Sequence, residues 1–317
     1  MDRAILFMRR GLATVLMGLV LAWSPPVFAG PALLFDAHKG TILYEEDMDS
    51  LWHPASLTKL MTAYLAFEAM RAGKFTLKDK VICSPLAHAQ APSKIGLPIG
   101  AEMSVDLALR TLIVKSANDV AVMIGEKVSG NLPQFIDLMN AKARELGMMR
   151  TRFVNPNGLP DDRQVTTARD MGLLARALIK DFPEYDYLFK LPHVKIGKRS
   201  MRSHNKLLRS YEGADGMKTG FVCASGYNVV ASATRDGRRL VAVVLGGTSG
   251  GARNLRATEL LDHGFRRFAW RSLFADKIDN VTIKASLTEG PQNMRPHVCA
   301  RRKYKRKKRR KTVTKKK

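Results

Sequence analysis

The sequence predicts an α/β fold of the α+β type, in which an antiparallel β-sheet is flanked by helices and joined to a helical subdomain. Short β-prone runs begin just after residue 30 and return after residue 199, while residues 104–179 have mainly helical periodicity. Because strands at both ends surround a helical middle, we expect both ends of the chain to build one sheet. The 317 residues, 45% of them hydrophobic, can bury at least one large core.

The first elements are a β-hairpin and a buried helix. Residues 31–36 and 41–45 are β-prone runs separated by a His-Lys-Gly turn. Apolar residues then recur at helical spacing over residues 57–72, on a face wide enough for the helix to be largely buried. Pro54 lies where this helix begins, and Gly73 lies where it ends.

The rest of the chain continues with helices and returns to strands. Helices are expected at residues 105–114, 117–128, 132–146 and 167–179, with an Asn-Pro-Asn-Gly turn at 155–158. Strands at 227–233 and 240–245 flank an Asp-Gly pair that is typical of a hairpin turn, and an amphipathic helix follows at 253–270. Between residues 273 and 299 one or two strands are expected, 281–285 being the better, with no second core.

The N-terminus has the layout of a secretory signal. Three arginines precede an apolar stretch at residues 12–23, and Val27-Phe28-Ala29 follows, so we expect cleavage after Ala29. A transmembrane anchor would need about 20 apolar residues, more than this stretch contains. The sequence therefore predicts export.

The three cysteines, Cys83, Cys223 and Cys299, allow at most one internal disulfide and exclude a disulfide-built scaffold. Their pairing is left open, and Cys223 is interpreted as a small strand residue rather than a reactive group. The sequence has no H-E-x-x-H and no C-x-x-C motif, so we expect no metal and no cofactor.

The net charge of +25 is concentrated at the C-terminus. Arg301–Lys317 contributes +13 and residues 1–29 contribute +2, which leaves +10 for residues 30–300. Such a run of like charges repels itself, so we expect a disordered tail that is either simply solvated or bound to a polyanion. After export the available polyanions are membrane surfaces and wall polymers, so no specific nucleic-acid partner is expected.

Three short motifs carry the chemistry, and they occur in the order Ser56-Leu-Thr-Lys59, Ser116-Ala-Asn118 and Lys218-Thr-Gly220. They fit the S-x-x-K, S-D-N and K-T-G set of active-site serine enzymes. Each motif is weak alone, since Ser203-His-Asn-Lys206 satisfies two of the loose patterns. That segment lacks a following apolar helix, whereas Ser56 opens the buried helix, Ser116 lies at a helix boundary and Lys218 leads into a strand-like segment.

The spacing of Ser56 and Lys59 predicts a nucleophile and its base. Positions i and i+3 share one face of a helix, so the hydroxyl and the amine can meet. A lysine is normally protonated at neutral pH, but burial beside another cation, for which Lys218 is the candidate, lowers its pKa and makes it a base.

The remaining motif residues are candidates for binding. The backbone N–H groups of Ser56 and Phe221 are expected to form an oxyanion hole. Gly220 lets a substrate approach the strand closely, and Lys218 and Thr219 would hold a terminal carboxylate.

With these motifs and their flanking segments, the sequence resembles the low-molecular-mass penicillin-binding proteins of the D-alanyl-D-alanine carboxypeptidase family, serine peptidase family S11, from about Leu33 to Phe268. The flanking matches are Pro54-Ala55 and residues 153–159, 166–171, 213–221, 225–227 and 260–265. The resemblance implies a β-lactamase/transpeptidase-like fold that acts on peptidoglycan stem peptides and is acylated by β-lactam antibiotics.

By that resemblance, the penultimate D-alanine acylates Ser56, Lys59 is the base, Ser116 relays a proton and Asn118 holds the peptide amide. Together with the signal layout and the charge run, it divides the chain into a signal peptide at 1–29, a catalytic domain at 30–272, a short extension at 273–300 and a disordered basic tail at 301–317. Many family members carry a β-rich second domain and a membrane-anchoring helix where this chain has the extension and tail. We expect secretion across the inner membrane to the periplasm or cell wall, and the tail would allow peripheral attachment to the membrane.

Three alternatives remain beside the carboxypeptidase. A D,D-endopeptidase that cuts peptidoglycan cross-links uses the same motifs, and a non-catalytic wall- or polyanion-binding protein could keep the fold. A class A β-lactamase would need an added glutamate, for which no convincing E-x-x-L-N segment occurs. His53, His88 and His204 are interpreted as structural or surface residues.

Overall fold

The centre of the molecule is a five-stranded antiparallel sheet built from both ends of the chain. The computed structural model describes residues 30–271, 275–283, 285 and 290–300, so the expected signal segment 1–29 and basic tail 301–317 lie outside the described residues. The strands are β1 (Ala32–Asp36), β2 (Ile42–Glu46), β3 (Lys80–Ile82), β4 (Glu102–Ser104), β5 (His193–Ile196), β6 (Arg199–Arg202), β7 (Ala214–Val222), β8 (Gly226–Arg235) and β9 (Arg238–Gly247).

Helices cover both faces of this sheet and form a subdomain at one side. They are α1 (Lys59–Arg71), α2 (Pro85–His88), α3 (Val105–Val114), α4 (Asn118–Ser129), α5 (Leu132–Glu145), α6 (Ala168–Asp181), α7 (Leu207–Ser210), α8 (Gly250–Arg271) and α9 (Arg295–Val298), with 3-10 segments at Ala55–Thr58 and Pro183–Lys190. None of the helices within the described ranges is long and apolar enough to cross a bilayer.

The strand order β2-β1-β9-β8-β7 confirms that both ends of the chain share one sheet. Strand β1 pairs with β9 from Ala32 opposite Val244 to Asp36 opposite Leu240. The sequence analysis missed two small two-stranded sheets, β3–β4 and β5–β6. Their strands are three or four residues long and partly exposed, so they lack a hydrophobic pattern that could reveal them.

The central strands are apolar on both sides because helices cover both faces of the sheet. Leu33 and Phe35 belong to the large core shared with the helical subdomain. Leu34, between them, packs in a second cluster with Leu240 and Leu261 of α8. Successive side chains of a strand point to opposite faces, so burial of both faces gives continuous apolar runs rather than an alternating pattern.

Two local predictions near the sheet have different outcomes. Asp236 and Gly237 both have positive φ, 49° and 70°, which is the conformation of the expected Asp-Gly hairpin turn between β8 and β9. Lys218 lies in the middle of β7 rather than ahead of a strand. The polar, glycine-containing sequence around Lys218 has low strand propensity, and pairing with β8 overrides it.

The strand expected at 281–285 is wrong, since residues 281–283 and 285 form no strand. The Arg169 guanidinium donates instead to the backbone carbonyls of Val281 at 2.7 Å and Thr282 at 3.0 Å. The same guanidinium forms a buried ion pair with Asp49. This segment is therefore held by a side chain that satisfies its carbonyls, a contact that local sequence does not reveal.

A disulfide joins Cys223 to Cys299, with a Cα–Cα distance of 5.7 Å across 76 residues of chain, and Cys83 is a buried free thiol. The interpretation of Cys223 as a small strand residue is wrong, because β7 ends at Val222 and Cys223 is a disulfide partner. Next to it, the backbone N–H of Met294 donates to the carbonyl of Ala224 at 2.8 Å. The C-terminal segment is thus attached to the β7–β8 turn.

We predict that the double variant Cys223→Ser/Cys299→Ser is less stable than the oxidised protein by about 2–5 kcal/mol, because removal of the cross-link frees a long loop of the unfolded chain. Thermal unfolding should report this as a lower Tm. A reductant should lower the Tm of the native sequence and leave that of the double variant unchanged. Equal Tm values for the oxidised protein and the double variant would contradict the prediction.

Candidate active site

The three motifs converge on one cleft of about 490 Å³. Its lining includes the predicted residues Ser56, Ser116, Asn118, Thr219, Gly220 and Phe221. Lys59 and Lys218 lie beneath this surface, with exposures of 0% and 1%. The structure therefore brings together all eight residues that the sequence analysis selected.

Ser56 is presented by a tight turn at the start of α1. The turn is the 3-10 segment Ala55–Thr58, and Ala55 adopts a positive φ of 48°. A Cβ atom on Gly158 would lie 1.8 Å from the carbonyl oxygen of Ala55, so only glycine allows the 155–158 loop to pack against this turn. The strained backbone is fixed by close packing and holds the partly exposed hydroxyl at the cleft surface.

Lys59 is placed to act on the Ser56 hydroxyl. Its Nζ lies 3.1 Å from Ser56 Oγ, 2.8 Å from Asn118 Oδ1 and 2.5 Å from the carbonyl oxygen of Asn157. Burial, and then the nearby Lys218 cation, lower the pKa of Lys59 well below its usual value, while Asp119 opposes the shift. A neutral amine would keep two N–H groups for Asn118 and Asn157, and its lone pair would accept the hydroxyl proton of Ser56.

Ser116 and Lys218 form a second pair across the cleft. Ser116 has a positive φ of 61° between α3 and α4, and Lys218 Nζ donates to its Oγ at 2.9 Å and to the Thr219 carbonyl at 3.0 Å. Burial, and then the Arg253 cation, lower the pKa of Lys218 to about 7. Both lysines are thus shifted toward the neutral form by the same buried environment.

Strand β7 forms the wall of the cleft that faces Ser56. A Cβ atom on Gly220 would lie 3.0 Å from the Pro54 carbonyl oxygen and 3.1 Å from the Ser56 nitrogen, so glycine permits this close approach. Asn228 on β8 fixes the turn from behind, since its Nδ2 donates to the carbonyls of His53 and Pro54 at 3.0 and 3.3 Å. The strand edge and the helix start therefore face the same space.

Asn118 and Asn157 connect the base to the opposite wall. Asn118 Nδ2 donates to the Ala91 carbonyl at 2.8 Å, and Asn157 Nδ2 donates to Gln90 Oε1 at 2.7 Å. The sequence analysis did not select Asn157. The Asn-Pro-Asn-Gly turn that contains it was the available signal, but nothing local shows that its backbone carbonyl accepts a bond from Lys59.

Two further residues of the cleft wall, Arg253 and His204, were not selected as site residues. Arg253, in the first turn of α8, lines the cleft with 6% exposure, and burial lowers its pKa to about 10. His204 is an exposed residue, as expected, but the surface it occupies is the cleft wall. Ser203 and Asn205 do not form a second site, because Asn205 Nδ2 donates to the Gly216 carbonyl at 2.8 Å and supports β7.

Within the described residues, no cluster of three or more His, Cys, Asp or Glu side chains could hold a metal ion.

Comparison with known proteins agrees with this geometry. The family model described as D-alanyl-D-alanine carboxypeptidase matches residues 21–249. The carboxypeptidase DacF of Bacillus subtilis is 33% identical over 307 residues, covering 90% of this chain and 78% of DacF. Three further curated relatives are matched over only 62–66% of their length.

Solved structures show the same fold. Penicillin-binding protein 5 of Haemophilus influenzae has a TM-score of 0.73 at 35% identity, covering 77% of this chain and 73% of that one. Penicillin-binding protein D2 of Listeria monocytogenes in the ampicillin-bound form has a TM-score of 0.66 at 32% identity. The match covers 76% of this chain and 100% of the Listeria chain. With most of the chain matched by the family model, the protein belongs to the D-alanyl-D-alanine carboxypeptidase family of serine peptidases, S11, whose solved members have the penicillin-binding fold.

Proposed function

We propose that the chain is a serine-type D-alanyl-D-alanine carboxypeptidase that removes the terminal D-alanine from peptidoglycan stem pentapeptides through an acyl-enzyme on Ser56. The observation that carries this proposal is the 3.1 Å contact between Lys59 Nζ and Ser56 Oγ in an open cleft. A buried lysine with a lowered pKa beside a partly exposed serine is the arrangement that activates a hydroxyl nucleophile.

In the acylation step, Ser56 Oγ attacks the carbonyl carbon of the penultimate D-alanine, and neutral Lys59 accepts the hydroxyl proton. The negative charge that develops on the carbonyl oxygen is stabilised by the backbone N–H groups of Ser56 and Phe221. Collapse of the tetrahedral intermediate breaks the peptide bond, and Ser116 relays to the leaving amine of D-alanine the proton that Lys59 took from Ser56, so Lys59 becomes neutral again. Lys59 then takes a proton from a water molecule that attacks the ester, and it returns this proton to Ser56 Oγ as the shortened peptide leaves.

The substrate is held at its two ends by different chemistry. Asn118 binds the peptide amide, while Lys218, Thr219 and Arg253 receive the terminal carboxylate. Arg253 is added to the residues selected from the sequence because it is a buried guanidinium that lines the cleft. Among the described groups that shift its pKa there is no carboxylate, so an anionic ligand would supply the missing counter-charge.

β-Lactams should be acylating inhibitors of this cleft. They carry a reactive amide and a carboxylate, so they can occupy the same groups as the D-alanyl end of the peptide. The ampicillin-bound relative from Listeria supports this extension to the present chain.

The chain is also proposed to work after export, at the periplasmic or cell-wall side of the membrane. The disulfide between Cys223 and Cys299 supports this location, because disulfides persist in oxidising compartments. There the 13 Lys and Arg residues of 301–317 would attach the enzyme to an anionic membrane surface or wall polymer.

The central test compares the chain lacking residues 1–29 with its Ser56→Ala variant. We expect the native sequence to be labelled by fluorescent penicillin and to release D-alanine from diacetyl-lysyl-D-alanyl-D-alanine. Ser56→Ala should lose both activities by several orders of magnitude, because the nucleophile is gone. Ser203→Ala, which removes the serine of the second S-x-x-K segment, is the matched control and should retain both.

Label without D-alanine release from the native sequence would instead point to an endopeptidase or a binding protein. Labelling of Ser56→Ala would contradict the assignment of the nucleophile.

We predict that Lys218→Gln moves the acidic limb of the pH profile for penicillin acylation to higher pH. The Lys218 cation is the second cause, after burial, of the lowered pKa of Lys59. Without it the pKa of Lys59 rises, so a higher pH is needed to obtain the neutral base. Second-order acylation rate constants measured from pH 5 to 9 give the midpoint of this limb.

Lys115→Gln is the control, because Lys115 is a nearby cation that is not among the causes of the Lys59 shift. An acidic limb of Lys218→Gln at the same pH as that of the native sequence would argue against the coupling of the two lysines.

Deletion of residues 301–317 should leave peptide turnover nearly unchanged and reduce binding to anionic vesicles and isolated walls at low salt. Each basic residue near an anionic surface contributes about 1 kcal/mol, which salt screens. Sedimentation assays at low and high salt measure this binding. A variant with an uncharged tail of equal length separates charge from length, and equal binding with and without the charges would exclude the tail as the attachment site.

A further inference from the structure

His204 is a residue of the cleft wall that the proposed chemistry does not use. It follows β6 and precedes α7, and it lines the same cleft as Ser116, Thr219 and Arg253. The cleft end that it borders is the one assigned above to the terminal carboxylate.

The backbone on both sides of His204 is fixed. The N–H of Ser203 donates to the Pro192 carbonyl at 2.8 Å, and Asn205 Nδ2 donates to the Gly216 carbonyl of β7 at 2.8 Å. Ser203 and Asn205 are buried while His204 between them is exposed. This pattern holds the imidazole at the cleft on a rigid support rather than on a loose loop.

Among the described residues, the charged groups that shift the pKa of His204 are three cations. They are Lys218 from β7, Lys115 from the end of α3 and Arg253 from α8. Partial desolvation of the ring at the cleft wall, and then these cations, lower the pKa of His204, while a hydrogen bond with the Lys115 backbone raises it. Without a nearby anion, this environment therefore favours the neutral imidazole over the imidazolium.

We propose that His204 is a substrate-specificity residue, whose imidazolium binds the free terminal carboxylate of the peptide and favours it over an amidated or otherwise blocked terminus. The inference rests on the proposed function, since it assigns this cleft end to the D-alanine carboxylate. A carboxylate close to the ring stabilises the imidazolium form, so substrate binding and protonation of His204 favour each other. Peptide affinity therefore rises as pH falls through the range in which His204 gains its proton.

Lys218 also titrates in this range, with a pKa of about 7, so pH dependence alone does not identify the histidine. Binding is therefore measured in the Ser56→Ala background, which removes turnover, with and without His204→Gln. The probes are diacetyl-lysyl-D-alanyl-D-alanine and the same peptide with a C-terminal amide.

We expect His204→Gln to weaken binding of the free acid about two- to fivefold at pH 5.5, the size of an exposed ion pair, with a smaller effect at pH 7.5. The amide should bind equally to both proteins. His204→Lys, a permanent cation, should bind the free acid at pH 7.5 as tightly as His204 does at pH 5.5. Calorimetry in two buffers of different ionisation enthalpy should show less proton uptake on binding with His204→Gln.

The inference would be overturned if the ratio of the affinities at pH 5.5 and pH 7.5 were the same with His204 as with His204→Gln. It would also be overturned if His204→Gln weakened binding of the free acid and of the amide by the same factor. Failure of the Ser56→Ala protein to bind the free acid at either pH would also overturn it. Fluorescent penicillin labelling of the protein with Ser56 intact tests the proposed function separately, because it requires the nucleophile and not His204.

Discussion

The site depends on the burial of two lysine side chains under one cleft. An ammonium group transferred from water into a protein interior without a paired acid costs several kcal/mol, and a group with that penalty shifts its pKa instead. Lys59 is surrounded by a hydroxyl, an amide oxygen and a backbone carbonyl rather than by a carboxylate at bonding distance. Asp119, the nearest source of negative charge, accepts bonds from the backbone N–H groups of Ile95 and Gly96. The packing that buries Lys59 therefore also lowers its pKa, as its proposed role as a base requires.

That arrangement requires unusual backbone at two of the three motifs. Ala55, next to the nucleophile, and Ser116, next to Lys218, are non-glycine residues with positive φ. Such residues cost on the order of 1–3 kcal/mol each and persist only where the surroundings determine their conformation. The packed loop at Gly158 and the bonds from Asn228 to the turn provide those surroundings. The large apolar core stabilises a site that would not hold its shape by itself.

The sequence could predict the parts of the molecule that repeat a local pattern. Helix α3 has the predicted bounds, 105–114, because its apolar period is regular and Ser104 caps its start. Ser56, Lys59, Ser116, Asn118 and Lys218–Phe221 were found because each lies in a short motif with fixed spacing. The Asn157 carbonyl and the partner of Cys223 were not found, since they act through contacts between segments 98 and 76 residues apart. Arg253 was not found because only the packing of α8 beside Asn228, 25 residues earlier, brings it to the cleft. Lys218 was expected ahead of a strand because its neighbours have low strand propensity. Pairing with β8 forms the strand that contains it.

The cleft is electrostatically incomplete until an anion enters it. Lys218, Arg253 and Lys115 each lower the pKa of His204 at the proposed carboxylate end, and burial lowers the pKa of Lys218 and of Arg253. A fold that separates these cations from acidic partners keeps hydrogen-bond donors oriented before the substrate arrives, so little reorganisation is needed at the moment of binding. The substrate carboxylate then completes the charge balance of the site, whereas a neutral terminus leaves the buried cations without a partner. Under the proposed function, discrimination in favour of a free C-terminus would follow from the same burial that lowers the pKa of Lys59.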